Sequence, residues 1–401
     1  MKRFILVVLG LLLAGLMSAQ AQPPRQVWAL YMGFWAGAGS WDAQADVLTD
    51  RPALGSYDSR DPGIAAQHID QAKSAGIDAF VVTWYGLEDG QTTTPALNNL
   101  LDRAAERGFM VGAVVDIFSA QFNRSPEALA ASLAYLINDR SAHPAYLRYD
   151  GKPVILFAFQ GRAGLSAAQW RQLRQQLDPA RATLWIAEGT SGCCLYGGAM
   201  DGMYAFNMAW ANGSSARYQR ERRAVLSAGG SFYLPTIHPG WDETLIARRE
   251  GRPNPTSPRA RADGQFLATS FRGAAASGSD VILVGTWNEF IENSHIEPSV
   301  NYGTQSLDVL RPLIAEWKAG GAGSGASSAP LARPESPTGL ILQATGRVNV
   351  RPTPSLEGAP VGVITPGVYH AVLEVAGDWY LIDVNGVRGY VNASVVRVEQ
   401  R

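Results

Sequence analysis

The segment DVILVGTWNEFIENSHIEPS, residues 280–299, decides the fold. It opens with the apolar run VILV and continues with three carboxylates, a histidine and two aromatic rings. A short apolar run bounded by polar residues is typical of a strand that is buried on both faces, as in a parallel sheet. Polar side chains directly after such a strand indicate a functional site at its carboxyl end.

Seven similar β-rich runs precede the strand at 280–287. They cover residues 27–34, 78–85, 109–117, 152–159, 182–189, 202–210 and 231–239. Helical patterns lie between them, such as PGIAAQHIDQAKSAG, TPALNNLLDRAAERG and SPEALAASLAYLIND, with Pro near the start or Gly at the end. Eight strands that alternate with helices predict an α/β fold, a (β/α)8 TIM barrel. A doubly wound open sheet is the competing architecture, but the segment YMGFWAGAGSW lacks the GxGxxG order that such a sheet usually carries.

The composition favours a large globular protein with a neutral ligand. The chain has 401 residues, of which 46% are hydrophobic, and it carries 34 basic against 35 acidic side chains. This length predicts one large domain and a smaller unit. Because the net charge is -1, we expect neither nucleic acid nor an anionic membrane as a partner.

Residues 1–21 predict a secretory signal. Lys2 and Arg3 precede an apolar run that ends at the small-x-small motif Ala19-Gln20-Ala21. The run is too short to cross a bilayer comfortably, and no second span follows. We therefore expect export to the periplasm, the cell surface or the medium, with no transmembrane anchor after signal removal. An uncleaved anchor is the alternative.

The two cysteines of the chain are neighbours, Cys193 and Cys194. In an oxidising compartment they can close a vicinal disulfide, and two free thiols in a loop are the equally weighted alternative. No further Cys and no HExxH motif accompany them, so we predict no metal site and no cofactor.

The chain divides into a signal at 1–21, a barrel at 22–318, a linker at 319–338 and a β-domain at 339–401. The linker is rich in Gly, Ser, Ala and Pro and cannot bury enough apolar surface to order itself. After it, short β-runs alternate with the turn pairs Pro366-Gly367, Gly377-Asp378 and Asn385-Gly386. These turns predict a small antiparallel barrel.

The carboxyl ends of the strands in such a barrel meet at one rim, where the site is expected. Aromatic faces suit the C–H face of a sugar, and carboxylates and amides suit its hydroxyl groups, so the ligand we predict is a glycan. Gln160, Glu188 and Glu243 are among the polar residues that follow the strands. We predict that substrate is bound by Tyr31, Trp84, Tyr85, Asp116, Asn207, Trp210, His238, Trp241, Asp242, Asn288, His295 and Glu297.

Glu289 and Glu292 are the candidate catalytic pair. They stand three residues apart, so one helical turn or tight loop would point them the same way. Glycoside hydrolysis needs one carboxyl that holds a proton and one that stays ionised, and a close pair favours retention of configuration. Glu292 also has a structural interpretation as a helix cap, Glu297 and His295 as braces, and Trp84 and Trp241 as core aromatics.

Four motifs resemble family 99 of the glycoside hydrolases. TWNEFIENSHIEP resembles the family signature SWNEWxEGxxIEP, although Phe290 and Asn293 stand where the signature has Trp and Gly. AGIDAFVVTWYG resembles GIDGFxxSWWG, PTIHPGWDET resembles PGYDDT, and ALYMGFW lies where a YYxWYG-like strand is found. The similarity covers residues 27–318.

This resemblance implies a (β/α)8 barrel with endo-α-mannosidase-like activity. It implies that Glu289 deprotonates the 2-hydroxyl of the sugar, which then attacks the anomeric carbon to give an anhydro sugar. Glu292 would protonate the departing oxygen and then activate water, with net retention. Family-99-like domains also accompany polysaccharide assembly, so a role in glycan building is a second implication.

The last sixty residues, within the β-domain at 339–401, resemble a bacterial Src-homology-3-like domain. The segment VNVRPTPSLEGAPVGVITPG and the later GDWYLIDVNGVRGYVNASVV follow the pattern of that domain, with Asp378 in place of a Gly and Tyr390 in place of a Trp. Such modules bind cell-wall peptide or glycan, which implies a role in retention at the envelope.

Three functions compete. The first is an exported retaining hydrolase that uses Glu289 and Glu292, and the second is a barrel that binds glycan without cutting it. The third is an assembly-type transferase, which would need an activated donor. The sequence shows no phosphate loop and no basic cluster at the barrel mouth to hold such a donor, which disfavours the third function.

Overall fold

The structure is a computed structural model that describes residues 24–118, 125–320, 336–345, 348–364, 369–384 and 387–400. The predicted signal at 1–21 lies outside these residues, as does most of the predicted linker. The domain boundaries predicted from the sequence therefore stay predictions. Within the described chain, no helix is both long and apolar enough to span a membrane.

The first 318 residues contain ten strands and nine helices among those described. The strands are β1 Gln26–Tyr31, β2 Ala79–Trp84, β3 Met110–Asp116, β4 Arg148–Tyr149, β5 Lys152–Ala158, β6 Leu184–Glu188, β7 Gly202–Tyr204, β8 Phe232–Leu234, β9 Thr236–Ile237 and β10 Val281–Val284. The helices are α1 Ala38–Asp42, α2 Pro62–Ser74, α3 Thr93–Arg107, α4 Pro126–Asn138, α5 Ala167–Leu177, α6 Ser215–Ser227, α7 Thr244–Arg249, α8 Gln265–Ala275 and α9 Gln305–Lys318.

The parallel strands form a nearly closed barrel. Their order is β8-β7-β6-β5-β3-β2-β1-β10-β9, and β4 is an antiparallel addition to β5. Strands β8 and β9 are halves of one run that Pro235 interrupts, so a single chain segment pairs with β7 on one side and β10 on the other. The Pro235 carbonyl still accepts a hydrogen bond from Leu283 N at 2.9 Å. The predicted eight-stranded TIM barrel is confirmed.

The largest difference from the predicted strand ends is at β7. A strand is predicted over 202–210, but β7 ends at Tyr204. Beyond it, Asn207 Oδ1 accepts a hydrogen bond from Ala209 N, and Met208 N donates to His238 Nε2. These side chains take the backbone donors that the sheet would otherwise use, and the chain turns away.

Helix caps explain why the predicted helices form where they do. Asp61 and Ser125 cap α2 and α4, each followed by Pro at the first helical position. A Ser166–Gln169 capping box starts α5. Such caps satisfy backbone donors that a helix leaves free at its start.

Side chains alternate between the two faces of each strand, and this alternation divides the core into two clusters. Trp28 and Leu30 pack inside the barrel, together with Val281 and Leu283. Their neighbours, such as Tyr31, pack between the barrel and the helices. Because side chains of a strand point to opposite faces in turn, this parity also decides which strand-end residues face the mouth of the barrel.

The C-terminal part is all-β. Its strands are β11 Leu340–Ala344, β12 Val348–Val350, β13 Gly362–Ile364, β14 His370–Ala371, β15 Glu374–Ala376, β16 Trp379–Val384, β17 Val387–Asn392 and β18 Val396–Gln400. All pairings among them are antiparallel, and a small core includes Leu342, Val372 and Ile382. The β15–β16 and β16–β17 hairpins flank the predicted turns at 377–378 and 385–386, of which only the first lies in the described chain. The predicted small antiparallel domain is confirmed.

Candidate active site

A cavity of about 590 Å³ lies at the carboxyl ends of the barrel strands. Its volume falls in the usual range for small-ligand sites. Carboxylates, arginines and aromatic rings dominate its wall. The charged members are Asp116, Glu188, Glu250, Glu289, Glu292, Arg162, Arg249 and Arg252, and the aromatic members are Phe34, Tyr85, Phe118, Phe159, Tyr204 and Phe206.

The loop after β10 presents both candidate catalytic carboxylates to this cavity. Thr286 Oγ1 accepts a hydrogen bond from Glu289 N at 2.8 Å, and Ser294 N donates to Glu289 O at 3.1 Å. Asn293 adopts a left-handed conformation with φ 53°, which Asn tolerates better than most residues. The chain therefore folds back on itself, so Glu289 and Glu292 lie on one compact turn.

The Glu289 carboxyl is buried, with 7% of the residue exposed. Burial raises its pKa to about 7, because the charged form loses hydration. A hydrogen bond of 2.9 Å from Ile291 N to Oε1 opposes this effect by stabilising the ionised form. Glu289 is thus placed to change its charge near neutral pH.

Glu292 is only half-buried as a residue, but it is more strongly biased toward the protonated form. Burial of its carboxyl raises the pKa well above its usual range, and the negative charges of Glu289 and Glu243 add to this effect. Arg252 acts in the opposite direction. No hydrogen bond reaches the Glu292 carboxyl from the part of the chain that the structure describes. The two carboxyl groups therefore differ in the direction that acid–base catalysis requires.

Two further carboxylates face the same space. Asp116 and Glu188 lie at the ends of β3 and β6, and both line the cavity. Burial raises the pKa of Glu188, and the charge of Asp116 adds to it, whereas a hydrogen bond from Phe159 N to Glu188 Oε2 at 3.0 Å lowers it. This floor of the cavity can accept several hydrogen bonds from hydroxyl groups.

Aromatic rings form the sides of the cavity. Phe34 and Tyr85 stack with ring centroids 6.5 Å apart, and Phe118 lies 5.0 Å from Phe159. Phe118 and Phe159 are both exposed at the rim. Such faces suit the apolar side of a sugar ring.

The expectation of no basic cluster at the barrel mouth is wrong, because Arg162, Arg249 and Arg252 line the cavity. Arg249 and Arg252 lie three residues apart at the end of α7 and just after it, whereas Arg162 is distant in sequence and joins them only because segments after different strands meet at one rim. Arg249 pairs with Asp46, and Arg252 pairs with Glu243 and Glu250. Most of this positive charge is therefore already compensated.

Of the twelve predicted substrate-binding residues, the cavity wall includes Tyr85 and Asp116. Tyr31 and Trp84 are fully buried and pack toward the helices, because strand parity points them away from the barrel axis. Asn207 donates to Thr256, and the indole of Trp210 donates to the Asn207 carbonyl. These four residues lie outside the cavity wall.

The other members of the set lie behind or beside the wall. His238, Asn288, His295 and Glu297 are buried, and each is hydrogen-bonded to another part of the barrel. His295, for example, contacts Asp50 at 3.1 Å. Trp241 and Asp242 line a second cavity of about 840 Å³.

Several wall residues were not among the predicted site residues. Glu188 was noted as a strand-end residue, and parity gives a signal for it, since it has the same phase along β6 as the inward-facing Leu184 and Ile186. Parity likewise selects Tyr204 on β7. The loop residues Phe118, Phe159 and Arg162 carry no such signal, because no regular alternation continues past the strand ends.

Cys193 and Cys194 are joined in a vicinal disulfide in the loop after β6. Of the two interpretations left open by the sequence, the disulfide is the one in the structure. Gly189 lies against it, since a Cβ there would approach the two sulfurs to 2.7 and 2.9 Å. Among the described residues, no group of three or more His, Cys, Asp or Glu side chains could hold a metal ion.

Comparison with known proteins assigns the barrel. The model of glycosyl hydrolase family 99 matches residues 35–312, more than half of the chain. The chain belongs to glycosyl hydrolase family 99. The model of the bacterial SH3 domain matches residues 346–397 of this family 99 protein.

Its relatives include glycoprotein endo-alpha-1,2-mannosidase of Xenopus laevis, 25% identical over 276 residues, which are 64% of this chain and 60% of that protein. Glycoprotein endo-alpha-1,2-mannosidase-like protein of Mus musculus is 27% identical over 269 residues, covering 62% of this chain and 58% of its own length. The chain thus spans less than two thirds of these relatives.

A solved structure shares the fold. The GH99 endo-alpha-mannosidase from Bacteriodes thetaiotaomicron, in complex with BIS-TRIS-propane, aligns with a TM-score of 0.63 at 24% identity. The alignment covers 74% of this chain and 99% of that chain.

Proposed function

We propose that this protein is an exported retaining glycoside hydrolase that cleaves within an α-mannoside-containing glycan. The observation that carries the proposal is the pair Glu289 and Glu292, which share one loop and one cavity and have unequal tendencies to hold a proton. Glycoside hydrolysis needs this inequality. The mannoside is proposed from the names of the relatives.

Glu289 acts as the base in this proposal. It removes the proton of the sugar 2-hydroxyl, and the 2-oxygen attacks the anomeric carbon as the glycosidic bond breaks. Glu292 gives its proton to the departing oxygen, so an anhydro sugar and a free leaving chain form. Glu292 then takes a proton from water as that water opens the anhydro ring, and Glu289 returns its proton to the 2-oxygen. The product keeps its anomeric configuration.

Side chains around the pair supply binding. We propose that Tyr85, Asp116 and Glu188 hydrogen-bond the hydroxyl groups of the sugar, while Phe34 and the exposed Phe118 cover its apolar face. The buried residues Tyr31, Asn288, His295 and Glu297 hold the catalytic loop in position instead of touching substrate.

The small C-terminal domain serves localisation in this proposal. It would retain the hydrolase at the envelope by binding cell-wall peptide or glycan, while the predicted signal at 1–21 directs export. A binding-only barrel is less well supported, because a binding site gains nothing from two carboxyl groups whose pKa values burial has raised.

The stereochemical course tests the mechanism. The protein is incubated with soluble α-1,2-linked mannan, and proton NMR identifies the anomer that appears first. We expect the α-anomer, and mass spectrometry of the protein with a 2-deoxy-2-fluoro substrate should show no covalent sugar adduct. A β-anomer first, or a stable adduct, would contradict participation of the 2-hydroxyl. No product after long incubation on any glycan would sink the hydrolase proposal.

A further inference from the structure

The second cavity adjoins the catalytic loop but shares no lining residue with the first cavity. Asp242 N donates a hydrogen bond of 2.9 Å to the carbonyl of Glu292, and Asp242 and Asn293 face the second cavity. The backbone that carries the proposed acid is therefore the partition between the two spaces.

The wall of the second cavity is polar but balanced in charge. Two arginines, Arg259 and Arg261, are matched by two carboxylates, Asp242 and Asp263. A neutral ligand fits such a wall better than a strongly charged one, since neither sign of charge is in excess.

Unengaged hydrogen-bonding groups face this cavity. Within the described chain, the side chains of Asp263, Gln265 and Gln305 make no hydrogen bond or ion pair, although each lines the cavity. The ring of Tyr302 lies beside them and is held in place by the Arg261 guanidinium, whose carbon is 4.1 Å from the ring centroid. A fixed aromatic ring with free amide and carboxylate groups around it suits a sugar.

The backbone around the cavity is also unusual. Ala262, Asp263 and Asn293 line it and adopt left-handed conformations, with φ of 48°, 51° and 53°. Non-glycine residues in this region cost free energy, and they concentrate at binding sites where the fold holds them in place. Three such residues around one cavity favour a binding surface.

We propose that the second cavity binds a distant segment of the same neutral glycan chain whose bond is cleaved in the first cavity. This proposal rests on the proposed function. Two linked sites on one chain raise the affinity for a polymer without changing the affinity for a short fragment, because the second contact is intramolecular. The protein would thus prefer polymeric glycan to short oligosaccharides.

The test removes two amides in the full chain, Gln265→Ala with Gln305→Ala. Both residues are the first of their helices, and neither side chain makes a hydrogen bond within the described chain. The matched control is Gln67→Ala with Gln175→Ala, two exposed glutamines on α2 and α5 that line neither cavity. Every chain also carries Glu292→Gln, so the polymer is not cut during the measurement.

Affinity gel electrophoresis in soluble α-1,2-linked mannan gives the dissociation constant. We expect the double variant to bind mannan about threefold to tenfold more weakly, the effect of one or two lost hydrogen bonds, and the control to bind as the parent does. Equal binding by variant and parent, or no retardation of the parent, overturns the proposal.

Kinetics of the same glutamine variants with the native Glu292 restored separate this proposal from the hydrolase proposal. In the double variant, KM for mannan should rise relative to KM for a short aryl mannoside, with kcat unchanged, which is the mark of lost ground-state binding. An equal rise in both KM values contradicts a separate site. If the protein binds mannan through these glutamines but releases no sugar, the proposal of a second site is supported and the hydrolase proposal is contradicted.

Discussion

Two groups of polar side chains around the catalytic loop differ in how completely they are partnered. We call Tyr31, Tyr57, His68, Asn288 and Glu297 the buried network. Tyr57 donates to Glu297 at 2.7 Å, Asn288 donates to Tyr57 at 2.9 Å, and the His68 ring lies between Glu297 at 3.2 Å and Tyr31 at 3.1 Å. In contrast, Glu292 in the first cavity has no hydrogen-bond partner for its carboxyl in the described chain.

This difference distinguishes residues that stabilise the fold from residues that are available for catalysis. The two ring nitrogens of His68 thus both have partners, Glu297 Oε1 at Nε2 and the Tyr31 hydroxyl at Nδ1. Each polar atom of this chain of contacts has a use inside the fold. The Glu292 carboxyl has no such partner in the described chain, and burial without a partner is costly unless substrate supplies one.

Replacing the proposed acid should have the largest effect. Glu292→Gln keeps the size of the side chain but cannot give up a proton. We expect kcat on an ordinary glycoside to fall about 10²- to 10⁴-fold, since this is the usual contribution of a general acid. Initial rates of reducing-sugar release measure the loss, and Glu316→Gln, an exposed carboxylate on α9, is the control. Full activity in the Glu292 variant would show that the pair is misassigned.

A change in the buried network should act on stability instead. Glu297→Ala leaves Tyr57 and His68 without their acceptor, and removal of one partner of a buried pair costs about 3–5 kcal/mol of unfolding free energy. We expect Tm to fall by roughly 10 °C, and Glu297→Gln to recover much of it. Thermal denaturation followed by circular dichroism gives both values. A Glu297→Ala chain with unchanged Tm and no activity would move Glu297 from the network to the site.

Removing the Glu289 carboxyl in the first cavity should stabilise the protein, whereas removing the Glu297 carboxyl should destabilise it. The folded pKa of Glu289, about 7, exceeds the unfolded value of about 4.3, so the folded state binds the proton more tightly and the protein loses stability as pH rises from 4 through 7. Glu289→Gln abolishes this loss. We expect the variant to be more stable than the parent by about 2 kcal/mol at pH 8 and equal to it at pH 4. Urea unfolding at the two pH values measures the difference, and a parent that is more stable at pH 8 would contradict it.

The contrast between the buried network and the first cavity also shows which parts of the site the sequence can predict. The apolar runs specify the barrel, and the polar residues after them specify the rim. Position after a strand does not distinguish inward from outward side chains, so Tyr31 and Trp84 were selected together with Asp116. Counting parity from Leu30 or Val114 would have separated them, because those residues face the barrel axis.

The hydrogen-bond and ion-pair partners of the polar side chains could not be predicted from the sequence. Glu297 pairs with His68, which is far away in the chain, and that contact exists only once the barrel has closed. The same holds for Arg162, which lines the same cavity as Arg249 and Arg252 although it is far from them in the chain. Loop residues are fixed by tertiary contacts, which explains why the predicted mouth had no arginines.

The smallest expected effects come from two tyrosines, Tyr31 in the buried network and Tyr85 in the first cavity. Tyr31→Phe removes a hydrogen bond inside the buried network, so we expect a loss of about 1 kcal/mol in unfolding free energy and no change in KM. The hydroxyl of Tyr85 has no partner in the described chain, so Tyr85→Phe should leave Tm unchanged and raise KM about fivefold. Melting curves and initial rates on both variants give four numbers. If the two variants lose the same property, the division into network and cavity does not hold, because one deleted hydroxyl should report either folding or binding according to where its hydrogen bond is made.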